Sequence, residues 1–298
     1  MSAPNRSELI NQTYTILKKH YKPAQPPAER SLLEHLLYAC CLENAQYEAA
    51  DEAFAKLQQV FFDWNEIRVT TVTELAETMT SLPDPSASAS RLKRCLQSIF
   101  ETHYVFDIEF MRKQNLGKSV KELHAVDGTT PFGVAYVVQN GLGGHSIPTN
   151  SGVIQAFEVI GVITAAEAKK RRIPGLERAI PKAKGVEFGS LVHQLGADFF
   201  ASPFSTNLRS ILIEIAPDAK QRLPRRKAKK TEPASEPKRK TRAKGKRKKA
   251  ATGKPAKAAA ETKRKSEKKT ADVKKKRTTS AEVAKKSSTK QLSKKKPR

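Results

Sequence analysis

The sequence predicts an all-α body followed by a basic tail without stable structure, and three observations support this. Apolar residues recur at helical spacing through about residue 215. No stretch with the alternating pattern of a strand reaches a convincing length. The composition then changes: residues 1–220 contain 23 Lys and Arg against 24 Asp and Glu, whereas residues 221–298 contain 33 against 6 and no aromatic residue. A segment so charged buries too little apolar surface to offset its ordering entropy, and we expect residues 221–298 to be disordered.

The helices of the body are predicted in order from their apolar spacing and their end signals. Ser7 can cap the first helix, and the proline-rich stretch 22–27 reads as a linker. The first predicted helices span 7–20, Leu32 to Cys40, which is strongly amphipathic, and 46–61, where Ala50, Phe54, Leu57 and Val60 face inward. A further helix begins at Thr71 and stops before Pro83, and a long one contains Leu92, Leu96, Ile99 and Phe100. A short pair of helices is predicted around Val120–Val126 and Gly133–Val138.

The composition also limits the compartment and the chemistry. No run approaches the roughly 18 apolar residues of a membrane span, and residues 1–30 lack the apolar core of a signal peptide. Cys40, Cys41 and Cys95 form neither a CxxC pair nor an even framework, so we interpret them as reduced core residues. A cytoplasmic protein that carries no cofactor and binds no membrane is expected.

The tail indicates the class of partner. Arg225, Arg226 and Lys227 open the first of several basic runs, and the wider pattern spaces Lys and Arg with Ala, Thr, Ser and Pro. Each phosphate that such a tail neutralises releases counterions, which gives salt-sensitive affinity without sequence preference. We therefore expect binding to double-stranded DNA, mainly through phosphates, and association with the nucleoid. RNA binding, or a tail that only solubilises the protein, remains an alternative.

Residues 119–138 resemble a helix-hairpin-helix element. A short helix is followed by the break Asp127 to Phe132 and by an apolar helix with Ala135 near its start. In such elements the hairpin exposes backbone N–H groups to a DNA phosphate. Gly128, Thr129 and Thr130 are therefore candidate DNA contacts, and a plain helical corner is the alternative.

Taken together, the motifs resemble the endonuclease III branch of the helix-hairpin-helix DNA glycosylases over about residues 30–215. The segments that carry the resemblance are Leu32–Leu57, Thr73–Ala76, Leu123–Val138 and Ile147–Val153. The resemblance implies base-excision repair, in which a damaged base is flipped into a cleft between two helical subdomains. It places one subdomain at about 40–145 and the other at 1–39 with 146–220.

The catalytic positions of this family are degenerate in the sequence. The Schiff-base lysine corresponds to Gly133, and the essential aspartate corresponds to Asn150. An amide keeps hydrogen bonds but loses the charge that stabilises the cationic sugar. Many family members also hold an iron–sulfur cluster with four cysteines, and the matching stretch 196–205 contains none, so no cluster is expected.

A few other residues are candidates for roles near DNA. Asn44 corresponds to a family glutamine that fills the hole left by the flipped base. His145 follows two glycines near the expected mouth of the cleft, where it either donates a hydrogen bond to a phosphate or makes a contact within the loop. Asp127 is either a helix cap or a displaced carboxylate. The remaining candidates are expected to pack: His124 and His193 on helices, and Trp64 as the anchor of a turn.

Three functions are consistent with the sequence. The leading hypothesis is a DNA-binding protein on a catalytically degenerate scaffold, with affinity supplied by the tail. The second is an active glycosylase or abasic-site lyase that uses a nonstandard carboxylate. The third is a scaffold whose cleft binds a protein while the tail tethers it to the nucleoid.

Overall fold

The computed structural model describes residues 5–24 and 29–225, which belong to one compact unit. These residues form helices and turns and contain no strand, which confirms the predicted all-α class. None of the described helices is long and apolar enough to cross a membrane. The predicted disorder of the tail, together with Arg226 and Lys227, falls outside the described residues.

The helices follow one another with short connections. They are α1 (Arg6–His20), α2 (Leu32–Leu42), α3 (Tyr47–Val60), α4 (Trp64–Val69), α5 (Val72–Thr78), α6 (Pro85–His103), a 3-10 helix (Glu109–Lys113), α7 (Leu116–Ala125), α8 (Pro131–Asn140), α9 (Ser151–Ile160), α10 (Ala165–Lys169), α11 (Leu176–Ala179), α12 (Lys182–Ala201), α13 (Thr206–Ile215) and α14 (Ala219–Arg222).

The first core is built around α2. Ser31 and Glu34 form a capping box that starts this helix, and every residue of α2 apart from Glu34 is buried. The helix packs against α3, α6 and α8, so neighbours cover it on all sides. The prediction that it is amphipathic was therefore wrong, because a helix with apolar residues all round is a buried central helix.

The second core combines α1 with everything after residue 146. Its buried residues run from Leu9 to Leu17 and from Ile147 to Leu223, whereas the first core runs from Leu32 to Val138. The first core therefore begins with α2, and the second core includes Leu223, which is 7% exposed. The division of the body into two subdomains stays a prediction.

Several local predictions change for physical reasons. The cap of α1 is Asn5, which forms a capping box with Glu8, and not Ser7. Val60 is 60% exposed because it lies at the last turn of α3. Helix α4 was not predicted; it is a short helix that Asp63 caps and Ile67 anchors. Trp64 does anchor this turn, with its ring 6.2 Å from that of Phe54.

The cysteines are buried and free, as predicted. Cys40 and Cys95 join α2 to α6 with 3.9 Å between their sulfur atoms, and Cys41 lies against Met79. Burial raises the pKa of the Cys41 thiol, so this thiol is protonated and behaves as an apolar group.

Helices α9 and α12 cross at two glycines. A Cβ atom on Gly152 would overlap the carbonyl oxygen of Gly196, and one on Gly196 would overlap the side chain of Asn150 and lie 2.7 Å from the nitrogen of Val153. The two backbones are therefore in direct contact, and this close approach sets the geometry around Asn150.

We predict that Gly152→Ala destabilises the protein by about 1–3 kcal/mol, because the added methyl forces α9 away from α12. Gly133→Ala is the matched control, since its Cβ would lie 3.5 Å from Thr130 Oγ1 in ordinary contact. This control should be neutral or stabilising by up to about 1 kcal/mol, as expected for alanine in a helix. Urea unfolding of both variants checks this; equal stabilities would contradict the close crossing.

Candidate functional site at the junction of the two cores

The two cores meet where the loop after α2 faces the N-terminus of α9 and the middle of α12. Asn150 is the N-cap of α9, and its Oδ1 accepts a hydrogen bond from the Val153 N–H at 2.9 Å. Asn44 belongs to the first core, yet its Oδ1 accepts from the Ser151 N–H at 3.2 Å and from the Ser151 hydroxyl at 2.8 Å. Two asparagines, one from each core, thus satisfy the free N–H groups at the start of α9.

Asn44 adopts an unusual backbone to reach this position. Its φ is +65°, in the left-handed region that asparagine tolerates better than most residues. From the sequence, Asn44 was predicted to fill the space that a flipped base leaves in the duplex. The structure instead uses its side chain as an internal link, and its role toward DNA stays a prediction.

His193 of α12 completes the junction. Its Nε2 lies 2.8 Å from the carbonyl oxygen of Ala45 and must donate to it, so Nδ1 is the atom that accepts from Asn150 Nδ2 at 3.3 Å. Burial lowers the pKa of His193 to about 4, partly opposed by the bond to Ala45. The ring also packs against Phe132 and Tyr47, with centroids 5.4 Å and 5.1 Å away. The expectation that His193 is a packing residue is confirmed.

These contacts close the surroundings of Asn150, the residue that the sequence resemblance aligns with the essential aspartate. Asn150 is 1% exposed, with Gly196 directly against its Oδ1. Gly133, which the resemblance aligns with the Schiff-base lysine, is buried in the first turn of α8, where its N–H donates to Thr130 Oγ1 at 3.1 Å. Neither position presents a charged group to solvent.

Two carboxylates lie near the junction, and both have other partners. Asp198 accepts from the Tyr21 hydroxyl and from Gln46 Nε2, each at 2.6 Å. Glu43 is 9% exposed and lies 3.7 Å from Arg91 of α6, while its Oε2 has no hydrogen bond among the described residues. The carboxylate of Glu43 is therefore paired toward α6.

The hairpin between α7 and α8 uses its own polar groups internally. The Gly128 N–H donates to Asp127 Oδ1 at 2.8 Å and the Thr129 N–H to the Val126 carbonyl at 3.3 Å, while Thr130 caps α8 and Pro131 has no N–H. Gly128 has a φ of +88°, and a Cβ there would meet the Arg91 carbonyl at 2.6 Å. The hairpin therefore packs tightly on α6 and offers few donors to a phosphate.

The remaining candidates lie apart from the junction. Asp127 is neither a cap nor a cleft carboxylate: it is exposed and lies 3.6 Å from Arg94. His145 Nε2 donates to the Glu177 carbonyl at 2.8 Å, which makes it a loop contact. His124 is exposed, so its predicted packing role was wrong. Arg225 is exposed at the edge of a groove with Arg209 and Pro224.

Two helical cores joined beside a helix-hairpin-helix element define the fold of the DNA glycosylases that carry this element, as the motifs predicted. Among solved structures, the chain is similar to endonuclease III in a non-covalent complex with DNA, with 14% identity and a TM-score of 0.51 over 74% of this chain and 99% of that one. It is also similar to the 3-methyladenine DNA glycosylase of H. pylori bound to 1,N6-ethenoadenine, with 15% identity, a TM-score of 0.42, and 74% of this chain and 100% of that one covered. No protein-family model and no curated protein sequence matches the chain. The likeness establishes an endonuclease III-like fold.

We predict that Asn150→Asp destabilises the protein by about 1–3 kcal/mol at pH 8, because a carboxylate offers no donor to His193 Nδ1. The pKa of His193 falls from its usual 6.5 to about 4 on folding, so in the wild type its contribution to stability is complete above pH 6.5 and is lost as the pH falls toward 4. In the variant the new carboxylate favours the imidazolium and raises that pKa. The cost of the substitution should therefore shrink toward pH 5.

Urea unfolding of both proteins at pH 8, 6.5 and 5 measures this difference. His35, whose pKa is also lowered to about 4, is present in both proteins, so its titration cancels. A cost that does not change with pH would show that Nδ1 of His193 does not face residue 150.

Proposed function

We propose that the protein is a DNA-binding relative of the base-excision-repair glycosylases that has lost their chemistry, and that its basic tail supplies most of the DNA affinity. The observation that carries this proposal is the state of residue 150. Its side chain is an amide, 1% exposed, with its oxygen bonded to Val153 N–H and its nitrogen to His193.

Loss of catalysis follows from what these atoms would have to do. Cleavage of a glycosidic bond develops positive charge on the sugar, which a fixed carboxylate stabilises. Lyase chemistry also needs an amine held against the sugar, and Gly133 has no side chain. The missing charge alone typically costs on the order of 10²–10³ in rate, and without an amine no Schiff base forms at that position.

The tail supports the DNA-binding half of the proposal. Residues 221–298 carry 33 Lys and Arg against 6 Asp and Glu, while the body is nearly neutral. Neutralising phosphates with such a segment gives strong, non-specific and salt-sensitive binding. A protein of this kind would be expected to associate with the nucleoid.

We predict that residues 1–225 form no borohydride-trapped adduct with an abasic-site duplex. The tail must be removed for this assay because its lysines could react with the aldehyde adventitiously. Gly133→Lys in the same truncated protein is the companion variant, since a Cβ at residue 133 meets only ordinary contacts. An adduct from the unmodified body that disappears when one body lysine is replaced would show that catalysis has moved to another residue.

We also predict that deleting residues 226–298 weakens binding to duplex DNA by orders of magnitude. The slope of log K against log salt should flatten, because each contacted phosphate contributes about 0.9. The deletion begins after Arg225 because Arg222 donates to the Val159 carbonyl at 2.7 Å and Leu223 belongs to the second core. Similar affinities and slopes for both proteins in a fluorescence-anisotropy titration would contradict the role of the tail.

An active glycosylase with a displaced carboxylate is the second candidate function. The position and burial of the Glu43 carboxylate favour it. This side chain adjoins Asn44 in the loop at the junction, and its Oε2 is buried without a hydrogen bond among the described residues. Glu43→Gln separates the two functions. If the wild type excises bases and this variant does not, the enzymatic function is supported.

A further inference from the structure

The charges of the body are separated along the chain. Residues 164–184 contain seven Lys and Arg against two Asp and Glu, whereas the rest of residues 1–220 contains 16 against 22. A body with a net charge of −1 therefore consists of a segment at +5 and a remainder at −6. Such a segment sets a strongly positive local potential that the net charge conceals.

The cations of this segment have no salt-bridge partner among the described residues, although Lys184 lies over the ring of Tyr14 and near Glu187. All seven are exposed, and none forms an ion pair within residues 5–24 and 29–225; they are Lys169, Lys170, Arg171, Arg172, Arg178, Lys182 and Lys184. One of the two acidic residues of the segment, Glu167, forms an ion pair with Arg6 of α1 at 2.8 Å. Cations elsewhere in the body, such as Lys18 and Arg94, do pair with carboxylates.

Part of this segment borders an open cavity of about 290 Å³ between α9 and α10. Lys169 and Arg171 line it on one side, and Ser151, Gln155 and Glu158 of α9 line it on the other. Ser151 is the first residue of α9, so the cavity begins beside the junction of the two cores. Glu158 is the only carboxylate among the lining residues, whereas Lys169 and Arg171 are the two cations there. Two more cations, Lys170 and Arg172, are their neighbours in the chain.

We propose that residues 169–172, with the cavity they border, bind the phosphate backbone of duplex DNA. This inference rests on the proposed function and assigns it a surface on the folded body. Unpaired lysines and arginines at an open cavity fit phosphate oxygens, because arginine offers a planar fork of donors and lysine a compact charge.

The state of the hairpin supports this assignment. The N–H groups of Gly128 and Thr129 are already bonded within the protein, and Asp127 adds a negative charge beside them. A duplex gains less there than at four unpaired cations. The basic segment after α9 takes over the phosphate contacts that a helix-hairpin-helix element would otherwise supply.

Lysine acetylation of the full-length protein, with and without a duplex of mixed sequence, tests the surface directly. We expect Lys169 and Lys170 to be protected by DNA, while Lys22, Lys113 and Lys121 stay reactive. These control lysines are also exposed and outside the ion pairs of the described residues. Equal labelling of Lys169 and Lys170 with and without bound duplex would overturn the proposal.

Matched substitutions in the full-length chain give the second measurement. K169Q/K170Q/R172Q and the control K22Q/K113Q/K121Q each remove three positive charges, so their effect on net charge is equal. Arg171 is retained because its φ of +49° makes that position sensitive to substitution. We expect the first variant to lower the salt slope by about 2–3 and the control to leave it nearly unchanged.

The two proposals fail in different ways. If the wild type binds duplex but both variants keep its slope, the tail alone holds DNA and the surface is refuted while the proposed function stands. If the wild type does not bind duplex at moderate salt, the proposed function fails together with the surface. Circular dichroism of both variants confirms that the comparison is made on folded protein.

Discussion

The N-terminus of α9 is the constraint on which the rest of this structure depends. Its free N–H groups lie between two packed cores, where leaving them unpaired would be costly. Asn150 satisfies one from within the helix, and Asn44 satisfies another from the opposite core. The Gly152–Gly196 crossing then presses α12 against this cap and brings His193 within reach of Asn150. One hydrogen-bonded cluster therefore caps a helix and joins the two halves of the fold.

The same cluster explains why residue 150 carries an amide. His193 donates through Nε2 to Ala45, so its Nδ1 needs a donor, and the Asn150 amide provides one that a carboxylate lacks. A carboxylate would fit only if His193 were protonated, and burial lowers its pKa to about 4. Asparagine is the residue that this closed, neutral junction requires.

Short-range features were predictable from the sequence, and long-range ones were not. Periodicity located most of the helices up to Val138 but did not delimit α9, α12 or α13, and the motif around Ile147–Val153 singled out Asn150. Periodicity could not show that α2 is covered on every side, or that Val60 falls at an exposed helix end, because both depend on neighbouring helices. The partners of Asn150 and Ser151 are His193 and Asn44, 43 and 107 residues away in the chain. A single sequence carries no signal for such pairings, nor for the contact between two particular glycines.

A net charge near zero does not exclude a strongly positive region on the surface of the body. A body with nearly equal numbers of acidic and basic residues suggests that it has no strongly positive surface. Yet a phosphate responds to the potential within about one Debye length, roughly 8–10 Å, and not to the net charge of the whole domain. Seven exposed cations without ion pairs in the described part of the chain create such a potential on the segment after α9. The junction at Asn150 is closed, and the N–H groups of Gly128 and Thr129 are bonded within the hairpin. Contact with a phosphate backbone depends on neither feature, because it requires only cations held at a surface.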